Sequence, residues 1–263
     1  MTPNIAPLRN VAALSSLVER VQDRSMGLPG MAVFYGPSGW GKTTATTFAT
    51  NEYQAYNVQV LSCWTPSYFL QSIMNEIGLK AVRGVPAMVE KIAGHLARAD
   101  RPLIIDDAQY LTKNKKLIEL ARDLYEASQS TVILVGEEEL PQHLTRWENI
   151  HNRQLAWEPA LACNLSDAEK LVQIYSPDVA IARDLLTEIV EASGGSIRRV
   201  VTNIDQAKEL ARSRGTSHAD LALWGDRVFA TGQPPTVRRL APQTAAPAQR
   251  QAPNLKVAKG GKQ

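Results

Sequence analysis

The stretch Gly36-Pro37-Ser38-Gly39-Trp40-Gly41-Lys42-Thr43 constrains this chain more than any other. It fits the pattern G-x-x-x-x-G-K-[ST] and lies between an apolar run, Met31 to Tyr35, and a helix-forming stretch from Lys42 to about Asn51. A strand, a glycine-bearing loop and a helix in that order converge backbone N–H groups at a helix N-terminus, where they complement phosphate oxygens. Lys42 adds a point charge for the β- and γ-phosphates and Thr43 a hydroxyl for Mg²⁺. The pattern predicts a nucleotide site over residues 36–44, Thr44 included, with ATP and Mg²⁺ as its occupants.

The rest of the body alternates strands with helices. Leu8 to Asp23 reads as an amphipathic helix, Asn57 to Ser62 as a strand, and Pro66 to Ile77 and Val85 to Arg98 as helices with apolar residues at i, i+3 and i+4. Leu103 to Asp106 is an apolar strand, followed by helix Lys115 to Gln129, strand Thr131 to Val135, helix Glu138 to Trp147 and strand Gln154 to Trp157. Strands this apolar, separated by helices, predict an α/β fold whose parallel sheet is covered on both faces. From Ser166 onward no strand pattern recurs, and Ser166 to Tyr175, Pro177 to Ser193, Ser196 to Ser213 and Ser217 to Phe229 read as the helices of a small lid domain. The expected organisation is a helical lead-in (1–28), an ATPase core (29–163), a helical lid (164–230) and a tail (231–263).

That tail is set apart by its charge. Residues 231–263 hold Arg238, Arg239, Arg250, Lys256, Lys259 and Lys262 and no acid, so the chain's net +3 leaves residues 1–230 at −3. Five prolines among Ala, Gln and Gly complete a composition unable to bury enough apolar surface to offset chain entropy, which predicts disorder. The tail is open to three readings: a counterion-releasing arm for nucleic acid, a docking peptide and a solubilising element. No apolar run is long enough to span a membrane, and Arg9, Glu19, Arg20, Asp23 and Arg24 stand where a secretory leader would be apolar, so the cytoplasm is the expected location. Cys63 and Cys163 lie far apart without clustered histidines, which argues against a disulfide framework or zinc site and for two buried small hydrophobes.

A second constellation is Leu103-Ile104-Ile105-Asp106-Asp107. An apolar strand ending in two carboxylates places Asp106 to hold Mg²⁺ at the sheet edge and Asp107 to orient or deprotonate the attacking water. Two arginines form the third. Arg153 precedes the last core strand, where a guanidinium can reach a neighbouring subunit's γ-phosphate, and Arg198 follows Gly194-Gly195-Ser196 at the start of a lid helix, from which it can fold back over the nucleotide. Arg146 and Arg199 are the competing candidates.

These four features together resemble the AAA+ ATPases. Gly30 to Ala45, Arg101 to Leu111, Val132 to Leu140 and Gly194 to Ala211 resemble more specifically the small transposition and secretion ATPases, above all the B transposition proteins of Mu-like phages. The resemblance covers roughly residues 5 to 215. It implies an ATP-dependent, sequence-nonspecific DNA-binding ATPase that assembles head-to-tail on double-stranded DNA, marks the target and recruits and stimulates a transposase. The runner-up is a protein-remodelling AAA+ ATPase of the secretion-accessory or helicase-loader kind.

Three positions depart from the family pattern. Asp107 stands where Glu is usual, one methylene shorter, which predicts slow hydrolysis; Glu137 follows strand Thr131 to Val135 where many members carry Asn or Thr; and the phosphate loop begins too early for a preceding helix-turn-helix domain. DNA contacts are then expected from the ring face, through Lys80 and Arg83 in the loop Gly78 to Pro86 and Lys113, Lys115 and Lys116 after the Mg²⁺ strand, or from the tail through Arg238 and Arg239.

Overall fold

A computed structural model describes residues 8–232; the tail beyond Gly232, with Arg238 and Arg239, lies outside the described residues. Helix α1 (Arg9–Gln22) leads into β1 (Met31–Tyr35), the phosphate loop, α2 (Lys42–Glu52) and β2 (Tyr56–Gln59). There follow α3 (Pro66–Glu76), α4 (Val85–Ala99), β3 (Leu103–Asp106), a 3-10 helix (Ala108–Lys113), α5 (Lys115–Ser128) and β4 (Val132–Gly136). Two short helices, α6 (Leu140–Leu144) and α7 (Glu148–His151), precede β5 (Gln154–Pro159).

The five strands form one parallel sheet in the order β2-β3-β4-β1-β5. Side chains of a strand alternate between faces, so each core strand feeds two separate apolar clusters. Ala32, Phe34, Ile104, Ile133 and Val135 face α1 and α2; Met31, Val33, Leu103, Ile105, Val132 and Leu134 face α3, α4 and α5, all of them buried. This double burial is why these strands read as unbroken apolar runs. The first cluster continues through Ala160 and Cys163 into α8 (Leu165–Tyr175), α9 (Arg183–Ala192) and α10 (Ile197–Ser213), giving the lid helices and one face of the sheet a shared core.

Helix starts follow local chemistry. Thr65, Asn114, Asn164 and Ser196 each cap a helix by accepting a backbone N–H at the second or third helical position, and Pro66 sits at the first turn of α3 where its missing N–H is harmless.

Five sequence expectations change. The helix expected over Glu138 to Trp147 is confined to α6: the chain turns at Thr145 and Arg146, Trp147 is extended, and α7 begins only after the expected range. Expected helices Pro177 to Ser193 and Ser217 to Phe229 each give up their first turn to a two-residue strand, β6 (Ala180–Ile181) and β7 (His218–Ala219), paired in parallel, and the second ends in a short α11 (Leu221–Trp224). Two-residue strands are too short to leave a period in the sequence. The strand expected over Asn57 to Ser62 ends at Gln59, where the chain turns out into the loop that carries Cys63. Cys63 is accordingly exposed rather than buried, while Cys163 is buried as expected.

Candidate functional site

The site lies at the edge of the sheet where the parallel strands end, in a cleft of about 440 Å³ between the core and the N-terminal turns of α10. Gly39 and Gly41 both hold φ near +83°, the left-handed region that favours glycine, which turns successive N–H groups toward one side. Ser38, Gly39, Gly41, Lys42, Thr43 and Thr44 line the cleft. Gly36, Pro37 and Trp40 do not: the Lys42 ammonium donates to the Gly36 and Pro37 carbonyls at 2.6 and 2.9 Å, and Trp40 packs against the core shared with the lid.

Asp106 ends β3 almost completely buried. Burial pushes its carboxyl above the usual carboxylate range, against hydrogen bonds from the Asp107 N–H at 2.9 Å and the Thr43 hydroxyl. Burial likewise pulls the Lys42 ammonium down, opposed by Asp106, then Glu137, then Asp107. Asp107 lines the cleft in a left-handed conformation, φ +54°, unusual for a residue with a side chain. Its two carboxylate oxygens accept hydrogen bonds from Gln59 Nε2 at 2.8 Å and Gln109 Nε2 at 3.1 Å.

The lid wall contributes Tyr175, Ile197, Arg198, Val201 and Thr202. Arg198 faces the same cleft as Lys42, and its N–H donates to the Gly39 carbonyl at 3.2 Å, pinning the start of α10 to the phosphate loop. Asn10, buried on α1, makes a second clamp: Nδ2 donates to the Trp40 and Leu161 carbonyls at 2.7 and 2.8 Å, and Oδ1 accepts the Leu161 N–H at 2.7 Å.

Arg153 is placed elsewhere. Its carbonyl accepts the N–H of Met31, which begins β1, so it stands at the sheet edge opposite the phosphate loop, with its guanidinium paired to Glu126. Arg146 is exposed with no ion-pair partner among the described residues, and Arg199 lies outside the main cleft, beside Ser38 and Gly39. Lys80 and Arg83 are exposed in the loop between α3 and α4. Lys113 lies over the Tyr110 ring at 4.6 Å, Lys115 pairs with Glu119 at 3.7 Å, and Lys116 is exposed. Among the described residues no cluster of His, Cys, Asp and Glu could hold a further metal, and no helix is long and apolar enough to cross a membrane.

Sequence reasoning missed Gln59, Gln109, Asn10 and Tyr175. Asn10 left a signal, a polar residue on the apolar face of α1 beside Val11 and Leu14. Gln59 is an exposed strand-end amide whose partner is 48 residues away, which no local pattern reveals.

Residues 25–144 match the family model of an AAA domain. No curated protein sequence matches the chain. Among solved structures, Cdc6p from Pyrobaculum aerophilum is similar with a TM-score of 0.60 and 16% identity, over 83% of this chain and 66% of that one. The ORC1 protein of Aeropyrum pernix in complex with DNA is similar at 0.56 and 16%, over 80% and 61%. The RuvB Holliday junction branch migration motor of Thermotoga maritima is similar at 0.54 and 18%, over 81% and 66%. The chain therefore spans just under two thirds of the length of these structures, and at such identities the likeness speaks to the fold. The strand order, the phosphate loop at the end of β1 and the helical lid over it, with the AAA domain match, give the chain the AAA+ P-loop fold.

Proposed function

We propose that this chain is an ATPase that binds double-stranded DNA in its ATP-bound state, assembles on it as a homo-oligomer, and serves target selection and transposase recruitment in DNA transposition. The observation that carries the ATPase half is one cleft holding the phosphate loop, Asp106, Asp107 and Arg198. The Thr43 hydroxyl and the Asp106 carboxylate, which line the same cleft, form a hard oxygen pair suited to Mg²⁺. When bound there, the ion supplies charge neutralisation at the β- and γ-phosphates. Lys42 leaves the Gly36 and Pro37 carbonyls for those phosphates, and Arg198 meets the γ-phosphate from the lid side. Hydrolysis further needs a carboxylate to take the proton of the attacking water, a role the sequence assigns to Asp107.

For the DNA half, support comes from the company the fold keeps, ORC1 in complex with DNA and the RuvB branch migration motor, and from exposed Lys80, Arg83, Lys113 and Lys116. Side chains of this kind track phosphates without reading bases. The transposition role rests on the resemblance of Gly30 to Ala45 and Gly194 to Ala211 to the Mu B group. Arg153, which stands away from its own subunit's phosphates, is free by position to serve a neighbour's. The proposed organisation is a lead-in (1–28), a core (29–163), a lid (164–230) and a basic tail (231–263) in the cytoplasm, with Arg238 and Arg239 adding to DNA contact.

An electrophoretic shift experiment tests this reading. Retardation of nonspecific duplex with ATP but not ADP is the expected result; equal retardation with both, or none, refutes DNA binding driven by ATP and returns the protein-remodelling alternative.

A further inference from the structure

Three carboxylates reach the cleft, and the structure gives each a different occupation. Asp106 is buried against Thr43. Asp107 has one amide N–H on each oxygen, from Gln59 and from Gln109, on a backbone held at φ +54°. Glu137, the first residue after β4, is exposed, lines the same cleft, and its side chain has no hydrogen-bond or ion-pair partner among the described residues.

Gln109 ties the last two together. While its Nε2 donates to Asp107, its Oε1 accepts the backbone N–H of Glu137 at 3.3 Å, which fixes the start of the Glu137 loop relative to the Asp107 carboxylate. The close approach exists because β4 ends in Gly136, where a Cβ would lie 2.8 Å from that Oε1. Glu137 also carries one methylene more than Asp107, which gives its carboxylate a longer reach from the backbone. At Lys42, the residue that meets the phosphates, the charge of Glu137 is felt more strongly than that of Asp107.

We infer that Glu137, rather than Asp107, is the catalytic base that takes the proton of the attacking water, and that Asp107 is a positioning residue acting through Gln109. The inference rests on the ATPase reading above. In the step, the water oxygen forms a bond to the γ-phosphorus as the bond from that phosphorus to the β,γ-bridging oxygen breaks, its electron pair leaving with ADP. The proton shed by the water passes to the Glu137 carboxylate and from there to the released phosphate or bulk water. The solvated carboxylate suits this role because it can take up a water in the cleft without first giving up a side-chain hydrogen bond.

The test compares Glu137→Gln with Asp107→Asn in the full chain, measuring phosphate release and, separately, the affinity of a fluorescent ATP analogue with Mg²⁺. Loss of a general base costs about 100-fold or more in turnover, so Glu137→Gln falls by that factor. The same variant binds the analogue as tightly as wild type or tighter, because a negative charge facing the phosphates is gone, and Glu137→Asp recovers part of the turnover. Asp107→Asn falls less than about tenfold, in keeping with a role in positioning alone. Equal losses in the two variants, or a loss confined to Asp107→Asn, overturn the inference and leave the nucleotide site standing. A wild-type chain that binds the analogue without turnover refutes the inference too. One that does not bind it refutes the ATPase reading itself.

Discussion

The two walls of the cleft are built on different principles. The core wall is a sheet edge: the phosphate loop, Asp106, Asp107 and Glu137 leave strands whose side chains are buried on both faces, so their positions follow from packing. The lid wall is one helix end and one side chain, Arg198 and Tyr175 among them, held to the core by the shared cluster and by backbone hydrogen bonds from Arg198 to Gly39 and from Cys163 to Gly195. A wall fixed by two packed faces is suited to holding phosphates in one geometry. A wall tied to the phosphate loop itself by single polar clamps can report what is held, because each clamp is worth only about 1 kcal/mol.

This contrast can be broken first on the core side. Lys42→Ala removes the charge on the β- and γ-phosphates and lowers ATP affinity by about two decades or more; titration with a fluorescent analogue that finds wild-type affinity refutes the phosphate-loop assignment. Asn10→Ala strikes the clamp that ties α1 to the phosphate loop and to the chain after β5. It leaves the Trp40 and Leu161 carbonyls and the Leu161 N–H without their partner, which costs about 2 kcal/mol of stability and lowers the melting temperature by several degrees. A variant that melts with wild type would show that water replaces the side chain.

On the lid wall the effect is smaller. Arg198→Ala weakens ATP binding about tenfold and leaves ADP binding nearly unchanged, since the guanidinium addresses the terminal phosphate; equal loss for both nucleotides would place it on the α- or β-phosphate instead. The smallest effect concerns the backbone contact between Cys163 and Gly195. Burial pushes the Cys163 thiol up to about 12, and its N–H donates to the Gly195 carbonyl at 3.0 Å, whereas Cys63 is exposed. At pH 8 a thiol reagent therefore labels Cys63 quickly and Cys163 slowly, through openings of the lid, and Mg-ATP slows the second phase a few-fold more. A second phase insensitive to nucleotide would mean that the lid does not tighten on it.

What could be read in advance follows the same division. Met31 to Tyr35 and Leu103 to Asp106 are legible because double burial leaves a continuous apolar run, and the phosphate loop because its glycines and Lys42 are adjacent in the chain. The lid was harder. Ala180–Ile181 and His218–Ala219 form strands only because they meet each other, 38 residues apart, and α6 ends at Leu144 without a proline or glycine after it to announce the stop.

From the sequence alone came the α/β alternation, the nucleotide loop, Asp106 as its acidic partner and a lid helix beginning after Gly194-Gly195, since each depends on neighbours within one turn or one strand. Tertiary structure alone decided which carboxylate remains free in the cleft, that Arg153 stands at the far sheet edge, and that Asn10 joins α1 to the loop. Those outcomes turn on contacts such as Gln109 to Glu137, Gln59 to Asp107 and Leu161 to Asn10, 28, 48 and 151 residues apart, and hydrogen bonds over such distances leave no spacing in the chain to read.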